Sequence, residues 1–305
     1  MVDLIIIGAG PAGMTAAIYA RRSGLSVQVI DKFAYGGQVA LTSEVENYPG
    51  VPNTNGAELS AIFYKQAQDA GAEFVSAEIN RVELEGDIKK VFTRRKEFES
   101  RAVIIANGVR RRKIGCPGEE TFSGRGVSYC ATCDGAFYKE KTVAVVGGGN
   151  TAIEDALYLS AICKKVYVIH RRDTFRAEKY IVDALGRKEN VYYILNATVS
   201  EISGANTVES VSCQTQDGML DIAVDAVFVA IGTLPDNEIY AQQIELDQSG
   251  YFKSGEDCKT NVPGVFVAGD CRVKPIKQIV TATADGAVAA TVAAEYVHAR
   301  EQNFV

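Results

Sequence analysis

Leu4-Ile5-Ile6-Ile7-Gly8-Ala9-Gly10-Pro11-Ala12-Gly13 is a run of branched apolar residues that breaks into a glycine turn, and the pattern returns 139 residues later as Thr142-Val143-Ala144-Val145-Val146-Gly147-Gly148-Gly149-Asn150-Thr151-Ala152. Short apolar runs bounded by glycine read as buried strands, and the small-residue stretches after them read as helices. The first unit continues as an alanine-rich helix to Arg22 and a strand at 27–30 that ends at Asp31. The second continues as a helix to about 161 and a strand at 166–169 that ends in His170-Arg171-Arg172. Two strand-turn-helix-strand units in one chain predict an α/β fold of two Rossmann-like, three-layer dinucleotide-binding domains.

Working outward, 59–70 reads as a helix, 79–93 as a hairpin and 102–106 as a buried strand closing the first unit. A composition break at 109–120, with Arg110-Arg111-Arg112-Lys113, Pro117 and Gly118, marks a crossing into another domain. Strands at 191–195, 208–214 and 226–231 are expected to complete the second sheet, and 232–236 to lead back. The tail carries a strand at 264–268, then Gly269-Asp270, and an alanine-rich helix from Ile279 to about 299. A strand followed by glycine and acid suits a nucleotide site, so the tail is assigned to the first domain. The expected division is therefore 1–113 with 240–305, and an inserted domain at 114–239.

The composition limits the function. Of 305 residues 47% are apolar and 23% charged, and 32 Lys+Arg against 38 Asp+Glu give a net charge of -6. No positive field favours nucleic acid or an anionic membrane. The apolar runs fall far short of the roughly 20 residues of a membrane helix, and the start lacks a signal-peptide pattern, so a cytoplasmic protein is expected. The two histidines, His170 and His298, lie far apart, and no metal centre is expected.

Gly8, Gly10 and Gly13 stand between a strand and a helix, with an acid at the end of the next strand, which is the dinucleotide fingerprint in its proper setting. Gly8 permits the turn, Gly10 lets the backbone approach a pyrophosphate, and Gly13 lets the helix pack on the strand. Pro11 and Ala12 complete the helix start, whose dipole favours phosphate. Asp31 is placed to accept hydrogen bonds from an adenosine ribose. The second copy has Gly147, Gly149, Asn150 and Thr151, with Ala152 in the third glycine's place, and it replaces the acid by His170-Arg171-Arg172, with Arg176 following. Guanidinium groups bind a ribose 2′-phosphate that a carboxylate would repel. The unlike selectors predict FAD at the first site and NADPH at the second; a solvated basic strand end is the alternative reading of the arginines.

Cys130-Ala131-Thr132-Cys133-Asp134 precedes the second fingerprint. A C-x-x-C can be a zinc half-site, a redox disulfide or two idle thiols. No second cysteine pair supplies the other ligands of a zinc site, and beside two nucleotide sites the redox disulfide is favoured. Asp134 is placed to protonate a leaving thiolate or to take the proton back, or is simply a turn residue before Gly135. Cys133 precedes the strand at 142–146, whereas nucleotides bind at its carboxyl end, so a strand of about 17 Å is expected to separate the disulfide from the Gly147 turn. The inserted domain is accordingly expected to present the two by turns, pivoting near 115–118 and 232–236.

These stretches, together with Gly36-Gly37-Gln38, Glu46-Asn47-Tyr48-Pro49-Gly50 and Gly269-Asp270, are ones in which the chain resembles the low-molecular-weight, bacterial-type thioredoxin reductases along essentially its whole length. The resemblance implies that Gly36, Gly37, Gln38, Asn47, Ala106, Gly108 and Gly269 lie along FAD, and that Asp270 and Gln278, flanked by Lys277 and Ile279, hold its ribityl and ring portions. It implies further that Cys133 faces the flavin, that Cys130 attacks the disulfide of thioredoxin, that Asp134 is the general acid, and that the protein is a homodimer. Asn107 stands where the family usually has threonine, and Lys277 where arginine is frequent, which removes a bidentate contact. The implied reaction passes electrons from NADPH through FAD and the Cys130/Cys133 disulfide to thioredoxin. Rival readings are an NADPH-dependent flavin disulfide reductase or oxidase serving a peroxidase or glutaredoxin-like carrier, and a nucleotide sensor with a zinc-bound C-x-x-C.

Overall fold

A computed structural model describes residues 1–302 apart from Ala34, Ser43 and Asn53. The chain divides into two units, Met1–Arg110 with Leu234–Val305, and Arg111–Thr233 inserted between them.

In the first unit the opening apolar run becomes β1 (Val2–Ile7). Leu4 and Ile6 point into one core and Ile5 and Ile7 into another, so both faces are covered and no polar residue interrupts the run. β1 lies between β2 (Val27–Asp31) and β6 (Glu97–Ile105), and β3 (Glu73–Ser76) pairs with β2. The hairpin of β4 (Ile79–Glu83) and β5 (Lys89–Thr93) joins the other side. β6 starts earlier than its apolar run suggests, because its first half pairs antiparallel with β5 while its second half pairs parallel with β1 and with β17 (Val265–Val267). The chain tail therefore supplies a strand to this sheet. Helices α1 (Pro11–Arg22), α2 (Gly56–Asp69) and α6 (Ile279–Gln302) cover one face with alanines. A Cβ on Gly286 of α6 would lie 2.2 Å from the Ala12 carbonyl oxygen, so small residues are required where α6 crosses α1. α2 begins before residue 59 because the Asn55 side chain accepts the Glu58 N–H (2.9 Å), a cap hidden in a stretch that reads as loop.

The inserted unit has a parallel sheet in the order β11-β10-β9-β15-β8, with β8 (Val127–Ser128), β9 (Thr142–Val146), β10 (Lys165–Ile169), β11 (Val191–Ile194) and β15 (Ala226–Val229). Val143 and Val145 face α4 (Asn150–Ser160) and α5 (Lys179–Leu185), and Ala144 and Val146 face the other core. One expectation fails here. The stretch at 208–214 does not enter this sheet; its register forms β13 (Ser210–Thr215), the centre of a separate antiparallel sheet with β12 (Thr198–Ser203) and β14 (Gly218–Ala223). Its buried residues alternate, Val211 and Cys213 inward and Ser210 and Ser212 outward, as suits a sheet covered on one face only. The two connections run as β7 (Val109–Arg111) and β16 (Thr233–Pro235), which pair as a short ribbon.

Candidate active site

Cys130 and Cys133 are joined by a disulfide across a Cα–Cα distance of 5.3 Å. Cys130 is the N-cap of the one-turn helix α3 (Ala131–Asp134), and its carbonyl accepts the N–H groups of Cys133 (3.3 Å) and Asp134 (3.1 Å). That turn folds Asp134 back onto β8, where its Oδ2 lies 2.5 Å from the Ser128 hydroxyl. Burial raises the Asp134 carboxyl above its ordinary range, and the Ser128 hydrogen bond and the Arg111 charge only partly oppose this. A carboxyl that keeps its proton to higher pH is suited to donate one to a thiolate.

The position of this turn corrects the expected separation. β8 runs parallel to β15 and β9, with Ser128 level with Phe228 and Val145, so Cys130 emerges at the same carboxyl edge as Gly147. The two are offset sideways by two strands, about 10 Å, and not by a strand length. Residues near 115–118, expected as a pivot, are held within the inserted unit. The Glu119 carboxylate accepts the N–H groups of Ile114 (2.9 Å) and Gly115 (2.7 Å) and the Tyr129 hydroxyl (2.9 Å). A Cβ on Gly118 would collide with the Ile202 carbonyl oxygen at 1.8 Å.

At the second fingerprint α4 starts from Gly149 with no side-chain cap and no acid in its first turn, and no atom lies within 4 Å of where a Gly149 Cβ would stand. Ala152 is buried against the strand, Thr151 is exposed, and the Asn150 side chain brackets Glu178 by accepting its N–H (2.9 Å) and donating to its carboxylate (3.2 Å). Arg171, Arg172 and Arg176 are exposed, and none is paired with a carboxylate among the described residues. His170 differs from them. It is 6% exposed, lies under Gly148, and stacks on Phe175 at 5.5 Å. Burial lowers its pKa, opposed by the Thr174 backbone bond and reinforced by the charges of Arg176, Arg172 and Arg171.

The first unit shows the same start at Gly10: no side-chain cap, no acid in the first turn of α1, and no atom within 4 Å of a Gly10 Cβ. Gly8 and Gly13 instead have no room, since Cβ atoms there would meet the Ala106 oxygen at 2.3 Å and the Gly8 oxygen at 1.8 Å. Asp31 spends one lone pair on the Ala9 N–H (2.7 Å) and another on the Phe33 N–H (2.8 Å), which fixes its carboxylate beside the turn. Gly36 donates its N–H to the Ala9 carbonyl (2.7 Å), Gly37 sits against Gly10, and a Gly269 Cβ would touch that of Ala12 at 3.0 Å, so both loops close on the helix start. Asn47 donates to the Gln278 side chain (3.2 Å), Gln38 donates to the Val109 carbonyl just past Gly108, and Ile279 begins α6. Asp270 lies in the turn after β17. The Lys277 ammonium lies 3.6 Å above the Tyr251 ring, a cation–π contact in place of a fork. Asn107 donates to the Asp236 carbonyl (2.9 Å) and to Asn237 (3.1 Å), tying the outgoing strand to the returning segment.

Residues 2–286 match the pyridine nucleotide-disulphide oxidoreductase family. The chain belongs to this family. It is 45% identical to a thioredoxin reductase of Listeria innocua over 97% of this chain and 93% of that protein, and 44% identical to one of Bacillus subtilis over 97% and 94%. A crystal structure of thioredoxin reductase from Streptococcus pyogenes superposes with a TM-score of 0.94 at 40% identity, covering 98% of this chain and 99% of that one. As an oxidoreductase of this family the protein uses a flavin and a pyridine nucleotide. Two uncapped helix starts behind glycines with open space fit the phosphates of both. Among the described residues no His, Cys, Asp and Glu cluster forms a metal site, and no helix is long and apolar enough to cross a membrane.

Two groups were not singled out from the sequence: Ser128 with Glu119, and an ion cluster on α6. Asp285 accepts from Arg272 at 2.8 Å on each oxygen, from Lys274 (2.8 Å) and from the Gly269 N–H (2.9 Å), with the three side chains 8%, 4% and 7% exposed. Burial alone would raise the Asp285 pKa, but these bonds outweigh it and the net shift is downward. The one acid in the first half of an alanine-rich helix was the available signal. Asp285→Ala is expected to destabilise the protein by about 3–5 kcal/mol, because it strands two buried cations. Since the folded pKa is depressed, this stabilisation is present above the ordinary carboxylate pKa, roughly 3.9, and is lost as pH falls through the lower folded value. Denaturation curves of both proteins across that range check it; a cost below about 1 kcal/mol would refute the assignment.

Proposed function

We propose that this oxidoreductase is a thioredoxin reductase that carries electrons from NADPH through FAD and the Cys130/Cys133 disulfide to oxidised thioredoxin. One observation carries the reading: a half-buried disulfide closed over one helical turn, with a proton-retaining carboxyl four residues after Cys130, at the carboxyl edge of a nucleotide-binding sheet. The relatives named thioredoxin reductase support the choice of acceptor.

Gly8, Gly10, Pro11, Ala12 and Gly13 with Asp31 would hold the adenosine and pyrophosphate of FAD, and Gly36 to Gln38, Asn47, Asp270 and Gln278 the rest. Bound FAD supplies two-electron exchange between nicotinamide and disulfide. Gly147 to Ala152 would seat the NADPH pyrophosphate and Arg171, Arg172 and Arg176 its 2′-phosphate. Once reduced, Cys130 attacks the thioredoxin disulfide as a thiolate, Cys133 resolves the mixed disulfide, and Asp134 protonates the thiolate that leaves. NADPH and a proton are consumed for each thioredoxin dithiol formed. The reading includes the homodimeric state that the family resemblance implies and the cytoplasmic location expected from the sequence.

Turnover of NADPH with thioredoxin, compared with oxygen alone, tests the assignment. Thioredoxin is expected to accelerate NADPH oxidation by at least about a hundredfold. Equal rates with and without it would favour the oxidase reading.

A further inference from the structure

Ser128 is buried beside the disulfide, and its hydroxyl has three polar atoms around it. The Cys130 N–H donates to Oγ at 3.1 Å, Asp134 Oδ2 lies at 2.5 Å, and the Cys130 carbonyl oxygen at 3.4 Å. A hydroxyl has one hydrogen and two lone pairs, and one lone pair is already taken by Cys130. The hydrogen therefore has two possible positions. With Asp134 ionised it points to Oδ2 and makes a short, charge-assisted bond. With Asp134 protonated on Oδ2, the carboxyl donates to the second lone pair, and the serine hydrogen turns to the Cys130 carbonyl. Both protonation states are bonded, and in the ionised one the 2.5 Å contact to Oδ2 becomes the charge-assisted bond. The other oxygen, Asp134 Oδ1, is buried with no partner among the described residues.

We propose that Ser128 is a positioning residue of the disulfide turn, one hydroxyl that fixes the Cys130 peptide and turns its O–H onto Asp134 as that carboxyl gives up its proton. The proposal rests on the reading of Asp134 as the acid of a disulfide reductase. A proton leaving Oδ2 for a thiolate converts carboxyl to carboxylate and thiolate to thiol, with no other covalent bond changed, and frees the serine hydrogen to turn onto Oδ2. Ser128 strengthens the acid by stabilising the carboxylate so formed, and the same oxygen keeps the nucleophile's backbone in place throughout. Arg111 on β7 and Tyr138 in the turn after α3 interact electrostatically with Asp134, and α4, which packs against α3, carries Glu154, Asp155 and Tyr158. The Ser128 hydroxyl is hydrogen-bonded to Oδ2.

The test uses full-length, flavin-loaded Ser128→Ala, with thioredoxin turnover followed from about pH 5 to 9 and flavin reduction by NADPH followed separately. An acid must be protonated to act, so activity falls as pH rises through the Asp134 pKa. Removing the hydroxyl takes away a bond that favours ionisation, so this alkaline limb is expected to move up by about one pH unit. The plateau rate should fall about three- to tenfold through the orphaned Cys130 N–H. Flavin reduction and the KM for NADPH should be unchanged, and Ser128→Thr, which restores the hydroxyl, should bring the limb back. In an Asp134→Asn background the limb should be absent and Ser128→Ala should no longer shift the profile. An unmoved limb in Ser128→Ala, with Asp134→Asn impaired, overturns the role of Ser128 alone. Normal turnover by Asp134→Asn overturns the acid reading beneath it.

Discussion

Cys130→Ser and Cys133→Ser are each expected to lose thioredoxin turnover by about a thousandfold or more, while NADPH still reduces the bound flavin at close to the wild-type rate. The physical ground is that the two half-reactions use different groups. A serine hydroxyl is not ionised near neutral pH and forms no disulfide, so neither exchange with a partner nor closure of the ring can occur. The loss should not be confused with unfolding. A disulfide closing a four-residue loop contributes roughly 2 kcal/mol in the chain-entropy account, against a typical domain stability of about 5–15 kcal/mol. Ala131, packed into the core under the turn, and the backbone bonds of α3 remain in both variants. Stopped-flow reduction by NADPH and steady-state turnover with thioredoxin, measured on one preparation, separate the two halves. Equal loss of both in a folded, flavin-loaded variant would contradict this division.

The second large effect is expected at the basic edge. Changing Arg171 and Arg172 together to serine should cut the preference for NADPH over NADH, as a ratio of kcat/KM, by about a hundredfold. Each charge-assisted hydrogen bond contributes about 1.5–3 kcal/mol, and about 1.4 kcal/mol is a factor of ten. Both side chains are exposed, so solvent screening places each at the lower end of that range. NADH kinetics should barely move, because the missing contacts touch only the 2′-phosphate. The NADPH preference of the wild type should also weaken with added salt. His170 takes no part in this expectation, since it is buried under Gly148. A double variant that keeps its full NADPH preference would place the phosphate elsewhere.

The α/β class and the repeat of two units are legible because they rest on short-range patterns: an unbroken apolar run for a strand buried on both faces, a glycine where Cβ has no room, and small residues for a close helix. β12 to β14 escape such reading, since one-sided alternation over six residues looks alike in any antiparallel ribbon, and only the partner tells which sheet it joins. The same limit governs the site. Gly8 and Gly13 announce themselves through spacing, whereas Asp285 meets Arg272 and Lys274 only when the tail folds back against the turn at Gly269. Ser128 is two residues from Cys130, yet its role depends on a turn that brings Asp134 back to it. His170 shows how adjacency misleads. It reads as one of three basic residues, but the imidazole is buried under Gly148 whereas Arg171 and Arg172, past the end of the strand, are exposed. The placement of the disulfide depended on β8, a strand of two residues too short to show any period.

One chain is expected to store electrons in two places, a flavin and the Cys130/Cys133 pair. Anaerobic titration with NADPH, followed through the flavin absorbance, measures this directly. The wild type is expected to consume about two equivalents before reduction is complete, one for the flavin and one for the disulfide, and Cys130→Ser about one. A wild-type endpoint at one equivalent, the same as that of the variant, would show that the disulfide takes no electrons from the flavin and would contradict the account.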